Sequence, residues 1–579
     1  MLKIGFIQAP GNDPRSYGIP LAFGYVISVL RQHWDQPFDY RITAEPYDLV
    51  EYEPDLIAIS SVTSCFWQVP EFAALFREKL PETRMVIGGH HISALPHRLP
   101  EAIDVGVIGE GEDTFLDLMR QFTPAVGWRE QQLRDIPSIC YHGRSGDVAV
   151  TGRRALRRDI DTLPFPVRSR NPTCPDEAVI FTSRGCPFRC AYCSTQQHWR
   201  SFRRFSAAYV VRELEHIVQT SPHVRSIYIL DDLYVADRRR LREMARRIDQ
   251  AGLNRRLTLH GFVRSNLVDD ELCQLLKVMN VRAIRFGAES GSDAVLQRME
   301  RGGKCSVATH QRAIDLAHKH GLACGASFMF GFPGETRADM QQTFDFVRRN
   351  EGKMTVEGCY LTVPLPGAEL WRWAAERGYV SEQMDWRRLN LSFDNPDFDW
   401  QDFLYLNEEC VPRNEFVRAI LESGILPEPV ARRGRSDRQR ELAAERMLRV
   451  MDSLTTQGVQ RVALYGAGEH TRRLRDRLRN TPVRVVAILD DNVDLHGTHL
   501  GPFKIHPPSD AGELGIDAVI LSSDRAEEEL WTRRTRFEQV GISVHRLYGP
   551  DKHASTCYPC PAGEARAGCP AAGGLNTPA

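Results

Sequence analysis

The chain has 579 residues, 42% of them hydrophobic and 26% charged, and a formal net charge of -1. That length predicts about three or four domains with ample core, and the near-neutral balance carries no global basic field for nucleic acid or an anionic membrane. No apolar run approaches the roughly 20 residues that span a bilayer, and 14 cysteines without a secretion signal predict a reducing cytoplasm, not a disulfide framework.

Residues 2–8 read as a first strand, too short for the apolar core of a signal peptide. Strand and helix patterns then alternate through residue 125. Leu21–Gln32 and Pro70–Leu80 read as helices, and Asp55–Ser61, Arg84–Gly89 and Val105–Gly109 as strands. That order predicts a parallel, doubly wound α/β sheet. Ligands of such sheets bind at the carboxyl ends of the strands, where Ser60, Ser61, Gly88, Gly89, His90, Gly109, Glu110 and Gly111 all fall. Glycines there let backbone approach a ligand closely. His90 and His91, neighbours on a strand-end loop, are expected to point apart, so His90 is read as lining the pocket and not as a metal ligand. Residues 126–175 are a connecting segment.

Cys186-Pro-Phe-Arg-Cys190-Ala-Tyr-Cys193 follows the strand-like run Ala178–Ser183. Three thiolates hold three irons of a four-iron cluster and leave the fourth open to bind and activate a small molecule. A zinc site is the alternative, but zinc normally takes four ligands, often as two C-x2-C pairs, and no second pair lies nearby.

From 176 to 370 the chain repeats strand, loop and helix. Strands are expected at 178–183, 226–230, 257–261, 282–287, 324–330 and 356–362. Helices are expected at 206–219, 238–250, 269–279, 306–320 and 337–349, the first capped by Ser206. The chemistry-bearing residues sit at strand ends, as in complete barrels. Asp231 and Asp232 end the second strand and either bond a cofactor or cap the next loop. Arg264 follows the third, positioned to meet a carboxylate. Glu289 and Ser290 end the fourth, and Gly331 the fifth. Tyr192 is either a cofactor contact or a core aromatic. Arg203 and Arg204 follow the cysteine loop and either act there or face solvent.

Residues 371–457 form a helical to irregular extension, with a basic run at Arg432–Arg440 read as a solvated linker. Residues 458–550 read as a small Rossmann-like domain. Gly466, Gly468 and Asp490 match a dinucleotide fingerprint only in part, because Thr471 holds the third glycine position. A structural or substrate-presenting role and a nucleotide site both remain open. The tail, 551–579, carries Cys557, Cys560 and Cys569 among Pro, Gly and Ala, a composition that favours disorder over a metal site.

The cysteine run, with Tyr192 in the aromatic slot, resembles the signature of radical S-adenosylmethionine (radical SAM) enzymes. Arg285–Gly291, Phe330–Thr336 and Leu361–Gly367 are similar to further turns of that family, and Asp231-Asp-Leu-Tyr234 to a segment of its cobalamin-associated members. Val86–Pro96 and Ile108–Phe115 resemble the cobalamin-binding domain fused in front of many of these enzymes, and Arg158–Pro166 resembles the usual lead into the radical domain. The Asp-x-His-x-x-Gly motif that donates a histidine to cobalt is absent from this domain, as it is from many fused members.

The resemblance implies a partial (β/α)6 barrel. It implies a four-iron, four-sulfur cluster on Cys186, Cys190 and Cys193, S-adenosylmethionine near Tyr192, Asp231, Arg264, Glu289, Ser290 and Gly331, and cobalamin on the N-terminal strand ends. The implied reaction is methylation of an unactivated carbon or phosphorus of a small molecule. A 5′-deoxyadenosyl radical takes the substrate hydrogen and methylcobalamin gives the methyl. An external one-electron reductant, flavodoxin or ferredoxin, is expected as partner. Cobalamin-dependent rearrangement, oxidation or cyclisation without methyl transfer is the first rival, methylthiolation the second, and a non-catalytic iron–sulfur carrier or sensor the rival from another class. Methylthiolation needs an N-terminal cysteine trio, and only Cys65 precedes Cys140.

Overall fold

The structure is a computed structural model. It describes residues 1–9, 20–124, 126–168, 174–300, 305–393, 395, 398–427, 430–431, 444, 446–474, 478, 481–500, 502–523 and 526–548. The chain divides into two compact units, Met1–Ala431 and Arg432–Ala579. The basic run 432–440 and the tail cysteines 557, 560 and 569 lie outside the described residues. No helix of the described residues is long and apolar enough to cross a membrane.

The first unit opens with a seven-stranded sheet. Its strands are β1 (Leu2–Gln8), β2 (Phe38–Thr43), β3 (Leu56–Ser60), β4 (Arg84–Gly88), β5 (Val105–Val107), β6 (Ile139–His142) and β7 (Val148–Val150), in the order β2-β1-β3-β4-β5-β6-β7. The first five are parallel, with Gln8 level with Ser60 and Ser60 level with Gly88. This is a doubly wound order whose switch point lies between β1 and β3. Strands β6 and β7 add antiparallel to the edge, so the sheet continues past residue 125 into the connecting segment.

Next come β8 (Glu177–Ile180), the short pair β9 (Ser183–Arg184) and β10 (Arg203–Arg204), then β11 (Ser226–Ile229), β12 (Thr258–Gly261), β13 (Ala283–Glu289), β14 (Ala323–Phe330) and β15 (Thr355–Leu361). Two parallel three-stranded sheets, β12-β11-β8 and β13-β14-β15, are joined by parallel bridges at Leu259–Val281 and Phe262–Arg285. The result is an open six-stranded parallel wall with helices outside, a partial barrel. On β13, Ile284, Phe286 and Ala288 are buried while Arg285, Gly287 and Glu289 are part-exposed. Phe286 stacks on His310 of the helix Val307–Lys319, so the apolar set faces the helices and the polar set faces the lumen.

The helix Ala207–Thr220 begins where Ser206 Oγ accepts the Tyr209 N–H at 3.0 Å, and buries Val210, Leu214, Ile217 and Val218. A helix at Asp293–Met299 adds to the expected set. Beyond the barrel, Phe393, Phe398, Trp400, Phe403, Tyr405 and Phe416 form a buried aromatic cluster, with ring centroids 4.7–6.4 Å apart across its contacting pairs.

The two sheets of this unit meet in a packed junction. Tyr25, fully buried on the helix Leu21–His33, lies near-parallel to Phe205 at 6.4 Å. Gly24 on that helix accepts the Val167 N–H at 3.1 Å, and a Cβ at Gly24 would lie 2.3 Å from Val167 O. In an isolated helix alanine gains about 1 kcal/mol over glycine. Here the backbone collision outweighs that gain, since overpacking costs roughly 1–3 kcal/mol. Gly24→Ala is therefore expected to lower the thermal unfolding midpoint, where propensity alone would raise it.

The second unit is a six-stranded sheet of β16 (Arg461–Tyr465), β17 (Arg484–Leu489), β18 (His499–Leu500), β19 (Phe503–His506), β20 (Ala518–Leu521) and β21 (Ser543–His545), in the order β18-β19-β17-β16-β20-β21. All its pairings are parallel except β18 with β19.

Candidate functional site

The pair β9/β10 forms the neck of the cysteine loop, with Arg184 opposite Arg203. Gly185 turns the chain into the loop at φ +81°, where a Cβ would lie 2.6 Å from Ser201 O. The loop is then held by backbone. Ala191 N–H donates to Met299 O at 2.8 Å and Ala191 O accepts from Leu370 N–H at 2.9 Å, while Cys190 bridges Glu300. The Gln196 amide donates to Cys186 O and, at 3.2 Å, to Phe188 O.

Burial pushes the Cys186 thiol up to about 11, and also raises Cys190 and Cys193. Each sulfur meets at least one donor that favours thiolate: the Phe188 N–H for Cys186, Arg264 for Cys190 at 3.4 Å, and the Thr195 backbone N–H for Cys193. Among the described residues no three His, Cys, Asp or Glu groups gather as one metal ion requires. A four-iron cluster takes its thiolates at separate corners, and three donor-supported thiols on one preformed loop fit it.

Around the loop, β13 ends in Glu289 at φ +62°. Its Oε1 accepts the Tyr192 hydroxyl at 2.9 Å, and burial holds the carboxyl at about 7. Gly287 makes room for it, because a Cβ there would lie 2.0 Å from Glu289 Oε1. Gly331, at φ +80°, donates its N–H to Glu335 Oε2 at 2.6 Å. Asp232 accepts the Thr195 hydroxyl at 2.9 Å and so stands next to the Cys193 contact.

Three expected S-adenosylmethionine contacts are engaged elsewhere. Asp231 is 4% exposed and accepts Thr182 N–H, Thr182 Oγ1 and Ser183 Oγ at 2.5–2.7 Å. Its carboxylate braces the strand leading into the loop. Ser290 is fully buried against Thr343 Oγ1 at 3.2 Å. Arg264 does meet a carboxylate, but it is the chain's own Glu300, at 2.5 Å. The guanidinium also lies 4.1 Å from the centre of the Phe188 ring.

On the N-terminal sheet, Ser60, Gly88, Gly89, His90, Gly109, Glu110 and Gly111 are part-exposed along neighbouring strand ends, and Ser61 is buried behind them. Gly89 has φ +110° and a Cβ there would lie 2.3 Å from Ser61 O. This ledge of small, part-exposed residues along neighbouring strand ends lets backbone approach a ligand closely there. His90 and His91 do not lie on a strand-end loop. They open a short helix, His90–Ala94. His90 stacks on His198 at 4.1 Å and His91 on Phe66 at 3.6 Å, and burial lowers the two to about 4 and about 3. Glu110 also departs from expectation. Arg184 donates to its Oε2 at 2.8 Å and Arg203 to both of its oxygens, so it ties the ledge to the neck of the cysteine loop. Arg203 is thereby paired, while Arg204 reaches Asp237 and stays exposed.

In the second unit, the Gly466 turn has φ +115°. Asp490 accepts the Ala467 N–H at 2.6 Å and the Asn492 N–H at 2.8 Å. Thr471 Oγ1 donates to Gly466 O. The acid that a dinucleotide fingerprint reserves for a ribose braces its own turn, and Gly468 lies at the same turn with no atom near its Cβ position. An open groove of about 930 Å³ lies at the opposite ends of these strands, beside Val459, Gln460, Arg484 and Phe503.

Glu335 is fully buried beside the Gly331 turn, and burial raises its carboxyl from 4.5 to about 8. The folded chain keeps a proton that the unfolded chain releases near 4.5, so this group's contribution is full at low pH and is lost as pH rises to about 8. The slope is about 1.4 kcal/mol per pH unit. Glu335→Gln is expected to remove that slope, so denaturant unfolding at pH 5 and pH 8 should differ less in the variant by a few kcal/mol.

Comparison with known proteins joins these parts. Residues 180–347 match the Radical SAM superfamily, residues 11–119 the B12 binding domain, and residues 458–547 the C2185-like N-terminal family. An uncharacterised methyltransferase of Pyrococcus horikoshii is 28% identical over 64% of this chain and 81% of its own length. The anaerobic magnesium-protoporphyrin IX monomethyl ester cyclase of Rubrivivax gelatinosus is 24% identical over 58% of this chain and 61% of its own length. The structure of TsrM from Kitasatospora setae, a radical S-adenosylmethionine methyltransferase with cobalamin and a [4Fe-4S] cluster bound, shares the fold at a TM-score of 0.54 and 19% identity, over 65% of this chain and 78% of that one. The chain thus carries a B12 binding domain ahead of a radical SAM domain, and in that arrangement it is similar to cobalamin-dependent radical S-adenosylmethionine methyltransferases.

Proposed function

We propose that the chain methylates an unactivated carbon, or a phosphorus, of a small molecule. One observation carries this reading: within a single compact unit, Glu110 beside the corrin ledge is paired to Arg184, two residues before Cys186. The two cofactor sites therefore adjoin. When bound, the cluster with S-adenosylmethionine supplies a hydrogen-abstracting radical and the corrin supplies a methyl group.

The residues divide that work. Cys186, Cys190 and Cys193 hold three irons. Tyr192, Glu289 and Gly331 would line the S-adenosylmethionine site. Ser60, Gly88, Gly89, Gly109 and Gly111 carry the corrin. Asp232 orients Thr195, whose backbone N–H holds the Cys193 sulfur. An external one-electron donor such as flavodoxin or ferredoxin, in a reducing cytoplasm, fits a cluster of this kind.

The second reading, cyclisation or oxidation without methyl transfer, is favoured by the similarity to the cyclase. Protein purified and reconstituted without oxygen is expected to hold about four irons and one corrin per chain. With methyl-deuterated S-adenosylmethionine and a small-molecule extract of the producing cells, the deuterated methyl should enter a product. Deoxyadenosine without label transfer would favour the second reading, and no corrin beside a cluster that still cleaves S-adenosylmethionine would sink methyl transfer and leave rearrangement or oxidation. Cys186→Ala should lose most of the iron and its visible absorbance.

A further inference from the structure

The junction between the two cofactor sites contains four charges in a tight, nearly dry group. Arg184 is 2% exposed at its side chain, Glu112 9%, Arg203 10% and Glu110 13%. Arg184 donates to Glu110 Oε2 at 2.8 Å and to Glu112 Oε1 at 2.5 Å. Arg203 grips Glu110 from the neighbouring strand, and its NH1 also donates to Arg157 O at 3.1 Å. The Arg184 guanidinium lies 5.1 Å from the Tyr25 ring centre and 5.4 Å from that of Trp199. Two cations meet two anions, so the group is neutral as a whole and stranded if any member is removed.

Its location gives it a use. Glu110 and Glu112 flank Gly111, at the end of the corrin ledge. Arg184 and Arg203 are the facing residues of β9 and β10, the neck of the cysteine loop. His90 from the ledge stacks on His198 of the helix that follows Cys193, across the same seam. A planar guanidinium held by two carboxylates has far less freedom than a lysine or a single pair would.

We propose that the Glu110–Arg184–Glu112 clamp, locked by Arg203, is a positioning device that sets the separation and orientation of the corrin relative to the iron–sulfur cluster. The clamp touches neither cofactor through its carboxylates. It acts by fixing the ledge against the loop. The proposal rests on the reading that a corrin occupies this ledge.

The test uses the full chain reconstituted with cluster and cobalamin, as wild type and as Glu112→Gln, Glu112→Asp and Arg203→Lys. Iron and corrin contents come first. Electron paramagnetic resonance then reads the magnetic interaction between the reduced cluster and cob(II)alamin, which depends on their distance. Glu112→Gln should retain both cofactors and deoxyadenosine formation, yet show a changed spin–spin interaction. The ratio of methyl transferred to deoxyadenosine formed should fall about ten-fold or more, as expected of misplacement by about an ångström. Glu112→Asp should recover part of both. If Glu112→Gln does not fold, Arg203→Lys, which keeps the charge and loses the fork, is expected to show the same signature. Wild-type spin interaction and ratio in a variant holding both cofactors would overturn the proposal, as would loss of corrin alone, which would make these residues corrin contacts. A wild-type protein that takes up no corrin fails the underlying reading instead.

Discussion

A buried arginine is the constraint on which the first unit depends. Taking a guanidinium out of water costs several kcal/mol unless partners replace its hydration. Arg184 meets most of that demand with two carboxylates from the end of the N-terminal sheet and with aromatic faces on Tyr25 and Trp199, while its Nε is buried without a hydrogen-bond partner among the described residues. Burial works against the ionised form of Glu112, and the Arg184 charge outweighs it, so the carboxyl stays below its ordinary range. Because the partners belong to the ledge and the cation to the loop neck, charge neutrality can be satisfied in one relative placement of the two sheets.

Steric demands narrow that placement further. Gly24 stands where a Cβ would strike Val167 O at 2.3 Å, while Gly89 and Gly185 meet the same limit inside the ledge and inside the loop neck, at 2.3 and 2.6 Å. Apolar packing supplies most of the adhesion across the junction, with Tyr25 set against Phe181 and Phe205. Packing of this kind is broad in energy but tolerant in geometry. The charges and glycines are the parts that tolerate little.

Much of this was legible in the sequence for a simple reason: period and spacing are local. The alternation of β13 and the apolar face after Ser206 could be read directly, and the three cysteines announced their chemistry by spacing alone. What escaped was whatever depends on partners distant in the chain. Glu110 looked like a ligand-facing residue because its partners lie at 184 and 203. Asp231 looked available because Thr182 and Ser183 are silent as acceptor-seekers in a sequence. Phe38–Thr43 is an edge strand with little burial, and its weak pattern gave no strong signal. The aromatic cluster at 393–416 has no period to read, since all its rings but Phe416, on the helix Arg413–Glu422, come from irregular chain.

The cysteine loop also differs from small metal-dependent folds in what shapes it. Structural zinc modules are unfolded until the metal arrives, because the ligands have no other reason to converge. Here Met299, Leu370, Gln196 and the bridge to Glu300 fasten the loop through amides and carbonyls, and the neck strands close it from below. None of those fasteners involves sulfur. The polypeptide therefore carries much of the loop's shape in bonds that owe nothing to sulfur.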